Sequence, residues 1–170
     1  MGNNMKYPIA VMQRALLLTC LLLISNLSSA KSHPSYLSEK YCGDVVEQFV
    51  GSGMRSLDKY INHNFNPEYT GGIRNTIQFL EQRLDWLSEC NDYLTDTTQS
   101  SVFHSEDDTQ KIFTAIKELA KELQHVRSGV EYRDESGNNN PAPFIQRRYE
   151  TLAQLVDRHH TRMLMKKQFQ

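Results

Sequence analysis

The chain has 170 residues, with 19 basic and 20 acidic side chains and a formal charge of −1. Both signs are interspersed along it, which excludes the basic face that nucleic acid selects. A hydrophobic fraction of 39% suffices for one packed core, and the length fits one domain.

The N-terminus reads MGNNMKYPIAVMQR, basic and free of acids, then ALLLTCLLLISNL, then the small residues Ser28 and Ala30. That order predicts a signal peptide over 1–30, cut after Ala30. The 13-residue apolar run, broken by Thr19, Ser25 and Asn26, falls short of the ~20 residues that a spanning helix needs. No membrane span is expected in the mature chain, and Cys20 leaves with the signal. Removing Lys6 and Arg14 from 19 basic residues leaves 17 against 20 acids, a charge of −3. Export into an oxidising space implies that the two remaining cysteines, Cys42 and Cys90, pair. No Asn-x-Ser/Thr acceptor follows position 30, which favours a bacterial periplasm over a glycosylating secretory route.

A short N-terminal segment, 31–37, precedes a single helical domain over 38–170. Four stretches carry helical periodicity, separated by turn-rich sequence at 62–72, 95–101 and 133–143. The first helix has a broad apolar pattern through Val45, Phe49, Met54, Leu57 and Ile61, with Gly51 and Gly53 in its middle. Those glycines demand a close helix contact or a bend. In the second, Ile73, Ile77, Leu80, Leu84, Leu87, Asn91 and Leu94 alternate steps of four and three. The third repeats this from Ile112 through Val130, behind a capping box at Ser105. The fourth runs Ile145, Tyr149, Leu152, Val156, His159 and Met163, with Lys166 and Lys167 suited to its negative end. Such seams predict an all-α fold, an antiparallel four-helix bundle built from two helical hairpins.

The expected register follows from folding each pair about its loop. In the last hairpin Val126 then faces Tyr149, Leu119 faces Val156 and Ile116 faces His159. In the first, Gly53 receives Leu80 and Tyr60 faces Ile73. Cys42 and Cys90 come to nearly one height, so a disulfide should close this hairpin.

Chemistry-bearing motifs are absent from the sequence: no GxSxG turn, no phosphate-cradling glycine loop and no CxxC or CxxCH. Glu89 with Asp92 and Asp107 with Asp108 read as solvated helix charge. No metal is expected, and the one residue considered as a ligand is His159, on the seam, since His160 points about 100° away. No cofactor is expected, although Met54 with His159 matches the ligand types of a haem-binding bundle. A second stripe on the second helix, Phe79, Arg83, Trp86 and Tyr93, widens its apolar surface and is the candidate binding face. The reading is an exported, non-catalytic helical protein that binds another protein or itself as a homodimer: an envelope accessory, a secretion or conjugation component, or a toxin-immunity protein. The alternative is a bundle that binds a small ligand, a metal or haem.

Overall fold

The computed structural model describes residues 32–168, with side chains through position 161. The expected signal peptide with Cys20, and the side chains of Met163, Lys166 and Lys167, lie outside the described residues.

Ser38 opens the first helix. Its hydroxyl accepts the Tyr41 N–H at 3.1 Å and satisfies one of the amides that a helix start leaves unpaired. Helix α1 then runs unbroken through Glu39–Gln48, Phe49–Gly53, Met54–Asp58 and Lys59–Asn64, the second and fourth of these wound as π-helix. Gly51, Ser52 and Gly53 hold the α form poorly, and the Ser52 hydroxyl bonds back to the Gln48 carbonyl at 3.0 Å. Each π turn inserts a residue and shifts the phase of the apolar stripe. That phase shift is why the pattern looks irregular in sequence while Cys42, Val45, Phe49, Leu57 and Ile61 are all buried.

An Asx turn, in which Asn66 Oδ1 accepts the Glu68 N–H at 2.9 Å, leads into α2, Thr70–Thr98. Gly71 and Gly72 belong to its first turn. The helix also extends through 95–98, part of an expected loop, where Thr97 and Thr98 bond back to the carbonyls of Tyr93 and Leu94. It ends at Gln99, φ 54°. Helix α3 is Glu106–Arg127, capped by the Ser105 hydroxyl on the Asp108 N–H, and α4 is Ala142–Gln168. The connection between them is fixed by Gly129 and Gly137 at positive φ, and by an isolated bridge between Arg133 and Asn139. No strand forms among the described residues.

The four helices form an antiparallel bundle of two hairpins. Cys42 and Cys90 are joined at a Cα–Cα distance of 5.4 Å, closing the first. Helix α3 packs along both α2 and α4, and α4 meets α1 where the Tyr149 hydroxyl donates to Asp58 at 3.2 Å. Sequential neighbours thus close into a ring around Phe49, Leu80, Leu87, Ile116, Leu119 and Leu152, all fully buried.

Both expected registers require correction. In the first hairpin Gly53 receives Phe79, whose ring tip lies 3.3 Å from where a Gly53 Cβ would stand, and Tyr60 lies over Gly72. With the disulfide, these pairs give an offset of one residue from the expected facing. In the second hairpin Arg148 donates to Glu118 at 2.8 Å and His159 meets the His104 amide, so α4 lies more than one turn nearer the start of α3 than a fold about the loop centre gives. The asymmetric connection causes this: the last seam residue expected on α3, Val130, is 46% exposed in the turn, whereas Ile145 lies just inside α4 and is fully buried.

Candidate functional site

Phe79, Arg83, Trp86 and Tyr93 recur along α2 on the side that meets α1, with Cys90 in the same row, so the disulfide presses this row against its neighbour. All four are half-buried. At the lower end Phe79 fills the space that Gly53 leaves. At the upper end the segment before α1 folds back over the helix: the His33 ring stands edge-on to Tyr93 at 5.5 Å, and its Nε2 lies 2.9 Å from Asp96. Tyr36 donates to Glu89 at 2.6 Å, and its ring packs edge-on against Tyr41. That hydrogen bond holds the Tyr36 phenol above its ordinary pKa.

The middle of the row is different. The Arg83 guanidinium lies between two rings, 5.2 Å from the Phe79 centroid and 4.7 Å from that of Trp86. Such stacking restricts how the guanidinium can turn. Its Nε and Nη1 are buried without any acceptor. Buried donors left unpaired are costly, and native chains carry few of them. The candidate face therefore contracts from four residues to the Arg83–Trp86 pair and its flanking ring.

His159 lies elsewhere, at the end of the bundle where α2 turns into α3. It is 5% exposed, its Nδ1 accepts the His104 N–H at 3.2 Å, and its ring stands edge-on to Phe103 at 4.8 Å. It therefore does not face the Ile116 layer. Two further buried polar side chains do the same work: Asn91 Oδ1 accepts the Val102 N–H at 3.0 Å and Thr109 Oγ1 accepts the Phe103 N–H at 3.4 Å. Three successive loop amides are thus taken by side chains from α2, α3 and α4. The periodicity put Asn91 and His159 on the seams, but nothing in it signals the amides they meet.

A cleft of about 730 Å³ opens beside this loop, lined on α1 by Glu39, Cys42, Gly43, Val46 and Glu47, with His159 across from them. Met54 is not in its wall, so the two residue types suggestive of haem are not brought together there. No group of three or more His, Cys, Asp or Glu suited to a metal occurs among the described residues. Glu39 and Glu106 sit in the first turns of α1 and α3, where carboxylates answer the positive helix ends. Of the paired carboxylates, Glu89 is held by Tyr36, Asp107 by Lys111 and Asp108 by the Ser105 cap.

Comparison with protein-family models, with curated proteins and with solved structures gives no match. No helix among the described residues is long and apolar enough to cross a membrane.

Proposed function

We propose that this is an exported, non-catalytic helical protein of a bacterial periplasm that acts by docking another protein, as an envelope accessory, a secretion or conjugation component, or a toxin-immunity protein. The N-terminal pattern and the Cys42–Cys90 disulfide support export. The docking reading rests on one observation: Trp86 and Phe79, both half-buried, clamp a guanidinium whose donors the chain itself does not satisfy. Tryptophan and arginine are the residues that dominate binding at interface centres, because they combine large contact area with directed hydrogen bonding.

The test places a photo-crosslinking residue at Gln82, exposed on α2 one position from Arg83, in the producing cell. A discrete adduct is expected, to one partner or to a second copy, and Trp86→Ala should abolish it while leaving Tm within a degree or two. If Trp86→Ala lowers Tm by many degrees and no adduct forms with the unsubstituted ring, Trp86 is core and the reading fails. N-terminal sequencing of the exported form should begin at Lys31.

A further inference from the structure

We propose that Arg83 receives a carboxylate, so that the segment which docks on this face is acidic. The inference rests on the docking reading above and adds the chemistry of what docks. A guanidinium carries five N–H donors. Nε and Nη1 of Arg83 are buried and unpaired. Filling the groove does not require arginine, since the stem of a lysine or methionine covers the same apolar surface without burying such donors. What the rings add is orientation. Two rings this close restrict how the fork can turn, and an oriented fork suits the two-pronged pairing of a planar carboxylate.

The acids nearby in α2 do not take this role. Glu81 accepts from Gln124 on the α3 side, and Glu89 accepts from Tyr36. Asp85, two positions from Arg83, is exposed on a different face. On α1, Glu47 lines the cleft beside His159. A carboxylate of the docked segment supplies the acceptor that the Arg83 donors lack, once an outward shift of the side chain between the rings brings them to the surface. A phosphate polymer is the poorer occupant, because a single arginine offers no track of cations.

The experiment uses the chain from Lys31 onward with its disulfide intact, and three synthetic heptapeptides. In one, leucine alternates with Asp and Glu; in the second with Asn and Gln; in the third with Lys and Arg. Trp86 emission and the Nε–Hε resonance of Arg83 report binding. The acidic peptide should move both signals and bind about tenfold more tightly than its amide counterpart, the basic peptide least. Arg83→Met should reduce acidic binding to the amide level with Tm unchanged or raised. Arg83→Lys, which keeps the charge but loses the fork, should fall between. Equal binding of the acidic and amide peptides overturns the carboxylate while sparing the docking face. If none of the three moves Trp86, the docking reading fails as well. Retained acidic binding in Arg83→Met, with a lower Tm, makes the arginine structural and overturns the inference.

Discussion

Asn91, Thr109 and His159 show how single polar residues can hold a bundle end. Each lies within a helix, each is buried, and each accepts one amide of the 102–104 stretch. With Nδ1 accepting, the neutral His159 ring carries its proton on Nε2. His159→Leu would fill the space but strand the His104 amide, so it should destabilise by about 1–2 kcal/mol, measured by urea unfolding at neutral pH. From sequence alone the same substitution looks neutral or stabilising, because a histidine on an apolar seam reads as a burial problem. A neutral result would mean that water satisfies the amide. The two mid-helix glycines divide in the same concrete way. A Cβ at Gly51 meets only the tip of Arg55 at 3.9 Å, whereas one at Gly53 meets the Gln48 carbonyl and Phe79, each at 3.3 Å. Gly51→Ala should therefore stabilise by about 0.5–1 kcal/mol, and Gly53→Ala should forfeit that gain. Equal effects on Tm would sink the distinction.

Among the elements, α1 is the one held least by packing. Helices α2, α3 and α4 pack along their lengths, whereas α1 meets α2 over a shorter stretch and carries two π-wound segments whose hydrogen bonding is weaker. The disulfide compensates. It spans a sequence separation of 48, and closing a loop of that size contributes about 4 kcal/mol on the chain-entropy model. Reduction should lower unfolding free energy by about that amount, and amide exchange in the reduced protein should deprotect α1 before the other three helices. Uniform deprotection of all four would show that α1 is as firmly packed as the rest. The bridge was legible in the sequence because the expected cut after Ala30 leaves only Cys42 and Cys90, and hairpin folding brings them to nearly one height. The π turns were not, because an inserted residue per turn only blurs a period of 3.6. Nor was the extension of α2 through Thr98, where threonine hydroxyls bonding back along the helix offset a turn-like composition.

At the scale of the molecule, the seams were readable but their meshing was not. Every seam residue from Ile112 to Leu123 and from Ile145 to His159 is buried, yet the two rows meet more than a turn from the expected register, because the connection at 128–141 consumes unequal lengths on its two sides. That shift matters for closure, since it sets where α4 crosses α1. The crossing is made by Tyr149, whose hydroxyl donates to Asp58. Burial, with the charge and hydrogen bond of Asp58 adding to it, pushes the Tyr149 phenol from 10.0 up to about 12. The folded state thus holds this proton more tightly than the unfolded chain does. Its contribution is complete below pH 10 and is lost as pH rises from 10 toward 12. Tyr132, raised by burial and by its bond to Glu122, loses stability in the same direction. Unfolding free energy measured between pH 8 and 11.5 should therefore fall steeply at the alkaline end. Tyr149→Phe should be less stable by about 1 kcal/mol at pH 8, having lost one hydrogen bond, and should show a shallower alkaline decline than the parent chain. An unchanged alkaline slope in that variant would mean that Tyr149 ionises as freely in the bundle as in the unfolded chain, and that α4 is held to α1 by apolar contact alone.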